Sequence, residues 1–262
     1  MSERFGPTMW LLSDKGRDTM ILILAWAAGS LDAIGYLGLG HVFTANMTGN
    51  AVLLGLALGQ GQGVAALRSV VALGGFALGV AIGATIVSKD RERMDWPPSV
   101  TNAVFLEGII LAIFSVAWHA LSVPRDEEWL CGLIALAAVA MGIQSAAVRR
   151  LKIPGIVTTY ITGTLTSLVS GVTSRIRHAG AASALGSSEL EPVAASSPAT
   201  NWERRVGLQA GVFMTYVLAA ILSGLAQTRA PSFATMSPVL AVVLVAIAAW
   251  ARGRHGEPAS SS

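Results

Sequence analysis

Two stretches set Thr, Asn and Gly at helical spacing within a chain otherwise rich in Leu, Ala and Val: TANMTGNAVLLG at 44–55 and TTYITGTLTSLV at 158–169. Residues four apart share one face of a helix. Thr44 therefore sits with Thr48 and Asn46 with Asn50, while Thr158, Thr162 and Thr166 form one stripe. Gly49 and Gly163 occupy matching places and let the chain bend or another helix come close. Hydroxyls and amides gathered on one side are neutral donors and acceptors, which suit a small polar solute or supplement the coordination of an ion. The same residue types also join helices in lipid without binding anything, because small and hydroxylic side chains concentrate at helix interfaces.

Asp32 lies inside the apolar run 20–40. An ionisable residue within such a run is costly, which makes it a candidate to bind a cation or carry a proton. The structural alternative is a bond to a helix terminus or to Asn46. Glu107 raises the same question inside 101–121, and Gln144 supplies an uncharged counterpart in the second half. Tyr36 and Tyr160 are placed to close a cavity or simply to pack. Arg68 and Arg205 head corresponding helices as interfacial anchors or, alternatively, as a gating, anion-attracting pair. Arg149, Arg150 and Lys152 read as topology signals, and His41 as solvated. Gly75, Gly79 and Gly83 repeat every fourth residue, a helix-packing signature. No Walker motif, nucleophile elbow or metal-binding pattern occurs, so no enzymatic activity, metal or cofactor is expected.

The composition says what must hold these residues. Only 13% of the 262 residues are charged and 53% are hydrophobic, too little polar surface for a water-soluble domain of this length. The bilayer is the solvent the chain matches. A net charge of +3 invites a nucleic-acid reading, but Lys and Arg fall beside the apolar runs, where topogenic charges belong. Cys131, the single cysteine, forms no internal disulfide. The polar N-terminal stretch lacks a persuasive cleavage site, so the first helix is expected to remain as an anchor.

Apolar segments at about 20–40, 67–87, 101–121, 129–148, 206–226 and 235–251 are long enough to span. Segments 43–59 and 155–173 are apolar but interrupted. If both crossed, KDRER (89–93) and RRLK (149–152) would lie outside, against the positive-inside tendency. If neither crosses, those charges, both termini and ARGRHG (251–256) all lie inside. The expected fold is thus an all-α polytopic bundle of about six spans plus two broken or re-entrant Thr-Gly helices. Its parts are a cytoplasmic segment 1–19, a first membrane repeat 20–121, a second repeat 122–251 with a flexible linker at 178–201, and a disordered tail 252–262.

The halves correspond when Gly49 is set on Gly163. Thr44 then meets Thr158, Thr48 meets Thr162 and Leu54 meets Leu168. With the linker as an insertion, Arg68 meets Arg205, Gly74 meets Gly211, Phe76 meets Phe213 and Val80 meets Val217; Gly29 meets Gly142 with a one-residue shift. Three spans per copy is an odd number, so the second copy enters from the opposite side. Such an inverted 3+3 repeat places a binding site near the midplane, where irregular helices of the two halves meet.

GSLDAIGYLGLGHVFTANMTGN and the later MGIQSAAVRRLKIPGIVTTYITGTLTSL together resemble the YoaK-like family of bacterial membrane proteins. The resemblance covers roughly residues 18–250 and implies about six spans, with no settled substrate. It carries over Asp32, Phe43, Met47, Thr48, Gly49 and Asn50 from the first motif. From the second it carries Gln144, Thr158, Thr159, Thr162, Gly163 and Thr164. Members often have Gln-Asn where this chain has Gln144–Ser145, so a contact through that Asn is absent here.

The leading functional expectation is a small secondary transporter or channel for a polar solute or ion in the bacterial plasma membrane, with cytoplasmic termini. Asp32, Asn46 and the Thr-Gly residues would line its site. The rival is a membrane sensor or scaffold, in which those residues only pack helices. The lipid bilayer is the expected partner, nucleic acid is not, and a homo-oligomer is left open. The topology has a direct test: in a Cys131→Ala background, single cysteines at Gln62 and Ser88 should label from outside and inside respectively. Labelling of Gln62 only from the cytoplasm would refute the six-span order.

Overall fold

The computed structural model describes residues 13–88, 94–120, 126–153, 158–159, 161–184, 198–230 and 234–256. Lys89 to Arg93, Tyr160, the centre of the proposed linker at 185–197 and the end of the tail at 257–262 lie outside these residues. The described chain forms α1 (Asp14–Gly38), α2 (Met47–Gly59), α3 (Gly63–Val87), α4 (Pro98–Ala120), α5 (Glu127–Arg150), α6 (Ile161–Ala184), α7 (Pro198–Arg229) and α8 (Met236–Gly256). The stretch read as a linker is helical at both ends, 178–184 and 198–201.

Six of these helices are long and apolar enough to cross a membrane: α1, α3, α4, α5, α7 and α8. Their ends carry the expected polar chemistry. Ser13 caps α1 by accepting from Gly16 N at 3.3 Å. Glu127 and Glu128 open α5, while Arg149 and Arg150 close it, complementing the helix dipole. α2 has 13 residues, about 20 Å at 1.5 Å per residue, which is short of a hydrocarbon core of about 30 Å.

Contacts along the helices fix their directions. α3 and α5 run side by side in the same sense. Arg68 pairs with Glu127, Gly79 lies against Val139, Gly83 against Ile143, and Arg150 Nε donates to Val87 O at 3.2 Å. α1 and α7 do likewise: Arg204 pairs with Asp14 and Asp18, Gly211 meets Leu22, Tyr216 meets Gly29, and Gly224 meets Leu37. α8 runs against α1, since Trp26 Nε1 donates to Ser237 Oγ at 2.8 Å and Arg252 Nη1 to Ser13 O at 3.1 Å. Ser13 and Arg252 thereby mark a terminal face. The end of α1, the start of α3 and the start of α5 meet at the opposite face, where Arg68 also reaches Gly40 O at 3.5 Å.

The small-residue stripe does what its spacing predicts. A Cβ on Gly79 would collide with the Val139 carbonyl, and one on Gly142 with the Phe76 carbonyl, so α3 and α5 touch backbone to backbone. Gly29 of α1 approaches the Tyr216 carbonyl of α7 in the same way. In lipid, where apolar surface supplies no drive between helices, such close packing is a main source of association. Gly79→Ala should therefore cost about 1–3 kcal/mol through overpacking, whereas Gly74→Ala, which meets open space, should be neutral or mildly stabilising. Thermal unfolding of the two purified variants in detergent separates them; equal midpoints would refute the backbone contact.

Candidate functional site

After α1 the chain turns through Gly40 and His41, both with positive φ (77° and 64°), and doubles back along its own helix. Residues 43–46 have no helix or strand partners there, so side chains satisfy their backbone. Asp32 Oδ1 accepts from Thr44 N at 2.8 Å, Ala45 N at 2.7 Å and Asn46 N at 3.3 Å. Its other oxygen accepts from the Tyr216 hydroxyl of α7. Asn50 holds Phe43 from both sides, accepting from its N at 2.8 Å and donating to its O at 2.6 Å. Asn46 caps α2 by accepting from Gly49 N at 3.2 Å. A Cβ on Gly49 would lie 2.8 Å from the Phe43 ring, so glycine is required for this fold-back. Most of the first motif is thus spent on holding an irregular backbone in place.

The second motif is built in parallel terms. α5 ends in a turn with Lys152 at φ 52°. Gln144 Nε2 then donates to Thr158 Oγ1 at 2.8 Å and to Leu24 O at 3.1 Å, while Thr159 Oγ1 donates to Ser145 Oγ at 3.0 Å. α6 begins just beyond, at Ile161. It runs without a break for 24 residues, so the second motif opens a continuous helix and is not itself kinked. The break lies before it, and the polar end containing Arg175 and Arg177 keeps α6 out of the six apolar spans.

The starts of α2 and α6 meet at one cavity of about 380 Å³. α2 contributes its cap Asn46 together with Met47 and Thr48; the other motif contributes Thr159, Ile161 and Thr162. Phe76 and Tyr216, at mid-length in α3 and α7, close it from the sides, and Ser145 and Arg149 of α5 complete the wall. Thr48 and Thr162, equivalent in the repeat register, are both exposed, whereas Thr44, Asn50, Thr158 and Thr164 are buried away from the cavity. Asp32 does not line it, although it grips both walls through the 44–46 backbone and Tyr216. Gly163 lies in the first turn of α6, half-buried and outside the lining.

Other candidates fall elsewhere. Glu107 is fully buried and neither carboxyl oxygen has a hydrogen-bond partner among the described residues. Tyr36 stacks on Phe43 at 5.5 Å and is not in the cavity wall. Arg68 is ion-paired to Glu127; in the second half it is Arg204, the neighbour of the aligned Arg205, that pairs with acids. Ala45, Phe76, Ser145, Ile161, Tyr216 and Arg149 also line the cavity and are not among the expected site residues. Tyr216 had a signal, a polar aromatic at the middle of a span, but only the α1–α7 contact assigns it to Asp32. Arg149 reads as a topology charge in sequence, and its place in the cavity wall appears only once α5 is set beside α3.

Fold and site together define a polytopic helical membrane protein in which two further helices begin at one central polar cavity. The chain belongs to the family described as protein of unknown function (DUF1275), which it matches over residues 20–250. It is 45% identical over 161 residues to the UPF0700 transmembrane protein YoaK of Bacillus subtilis (strain 168), an alignment covering 61% of this chain and 69% of that relative. No solved structure matches.

If Asp32 is a clamp, its substitutions should rank by hydrogen bonds lost. Asp32→Ala leaves three N–H groups unpaired, two of them buried, and should cost more than about 3 kcal/mol. Tyr216→Phe should cost about 1.5–3 kcal/mol. Asp32→Asn should fall below the Ala variant, since its amide oxygen still accepts and its amide nitrogen can donate to Tyr216. Melting of the variants in detergent reads the order, and an Ala variant as stable as the parent would disprove the clamp.

Proposed function

We propose that this protein is a small secondary transporter or channel with its solute site in the cavity between the starts of α2 and α6. The observation that carries the reading is that the starts of α2 and α6 line one cavity, with Thr48 on one side and Thr162 on the other. Thr48 and Thr162 are then presented to one space that both halves enclose. Exposed polar groups and irregular backbone at membrane depth are tolerated where they line a cavity or are buried in protein.

An inverted 3+3 repeat is part of the proposal. Its support is the pairing of helices: α1 with α7 and α5 with α3, each the first helix of one half against the third of the other. Gly29 against Tyr216 corresponds to Gly142 against Gly79, and the Arg204–Asp14 pair at the terminal face corresponds to Arg68–Glu127 at the other. Rocking of one half against the other would expose such a site alternately. The orientation follows from charge. Arg149, Arg150, Lys152, Arg204, Arg205, Arg252 and Arg254 cluster toward the terminal face, while Arg68 and Arg229 lie at the opposite one. The positive-inside tendency then makes the terminal face cytoplasmic, in a bacterial plasma membrane.

Flux through purified protein in proteoliposomes is the test. Thr48→Val and Thr162→Val should leave the melting temperature near the parent value, because both hydroxyls face the cavity, and should lower uptake of the transported solute at least tenfold. A folded parent with no flux across a broad panel of anions, cations and neutral solutes would favour a sensor.

A further inference from the structure

We infer that the cavity takes a small organic anion, its charged head set between the two helix starts and Arg149. This deepens the transporter reading and rests on it for the location of the site. Three observations at the cavity point the same way. First, the N-terminal ends of α2 and α6 both open onto it, so the positive ends of two helix dipoles face one volume. Second, Arg149, an exposed side chain at the terminal end of the lining, has no acidic or hydrogen-bonding partner among the described residues, whereas Arg17, Arg68 and Arg204 are all ion-paired and Arg150 is tied to the Val87 carbonyl. Third, no carboxylate lines the cavity among the described residues. The nearby acid, Asp32, has both oxygens engaged by the 44–46 backbone and Tyr216.

A cation would find no counter-charge in this wall, while an anion finds a guanidinium, two dipole ends and the hydroxyls of Thr48 and Thr162. The remaining wall is apolar, through Met47, Phe76 and Ile161. That suits a ligand with a short hydrocarbon or aromatic body behind one charged head. A guanidinium matches a carboxylate through two parallel N–H bonds. Arg149 stands one helical turn, about 6 Å, beyond Ser145 toward the terminal face, so the head would approach from that side.

The test measures thermal shifts of the full chain in detergent, at constant ionic strength, with sodium acetate, butyrate, benzoate, nitrate and phosphate, and with ammonium chloride and acetamide. Butyrate or benzoate should raise the melting temperature in a saturable manner. Arg149→Gln should weaken that apparent affinity at least tenfold, Arg149→Lys should restore part of it, and Arg150→Gln should leave it unchanged. Should Arg149→Gln fail to fold, Thr48→Val serves, with the same loss expected. No saturable shift, a shift from phosphate or nitrate alone, a response to ammonium or acetamide, or a butyrate shift that survives Arg149→Gln would each overturn the assignment. Flux is read separately. Anion binding without flux keeps the anion site and removes the transport reading, whereas Thr48-dependent flux of a cation or neutral solute does the reverse.

Discussion

A backbone amide in lipid has no water to turn to, and the stretch 43–46 leaves four consecutive residues without helical partners in that setting. The carboxylate of Asp32 accepts from three of their N–H groups and ties them, through Tyr216, to a helix of the other half. Everything at the site depends on this. The depth at which α2 begins, the direction of its dipole and the exposure of Thr48 all follow from where Asp32 holds the chain. A charge at membrane depth is costly, and here it is offset by several donors, so its worth lies in the geometry it imposes.

Packing supplies the frame on which that clamp acts. α1 packs against α7 and α5 against α3, and glycines at 29, 79 and 142 bring the backbones into contact. Ion pairs seal the two ends, Arg204 with Asp14 and Asp18 at one face and Arg68 with Glu127 at the other. With the long helices drawn together in crossed pairs, the short segments between them are left to meet in the middle. The cavity is the space left between the starts of α2 and α6.

The two fold-backs differ in their chemistry. The first is held by a carboxylate and two asparagine amides; the second, among the described residues, by the neutral pairs Gln144–Thr158 and Thr159–Ser145. In the proposed repeat, the register that sets Gly29 on Gly142 also sets Asp32 on Ser145. A hydroxyl accepts fewer bonds than a carboxylate, so Ser145 holds its partner less firmly than Asp32 holds the 44–46 backbone. In the proposed reading this asymmetry suits a protein whose two halves must move unequally around a shared site.

The number and place of the spans could be read directly from the chain, because membrane thickness sets helix length and charge sets the loops. The two Thr-Gly motifs were also visible as sites, since polar groups in apolar runs require a reason. What each polar residue does was not visible. Asn50, Thr158 and Asp32 look as exposed to function as Thr48 does when spacing alone is considered. Only the fold-back shows that the first three satisfy backbone or buried partners while Thr48 and Thr162 face open space. Arg149, read as a topology charge, also stands in the cavity wall, which spacing alone does not show. Periodicity reports which face of a helix a residue occupies, but not which neighbour that face meets. For Asn50, Asp32 and Thr158 the partner lies 7 to 14 positions away across an irregular turn, and for Tyr216 with Asp32 it lies 184 positions away; helical periodicity encodes neither kind of contact.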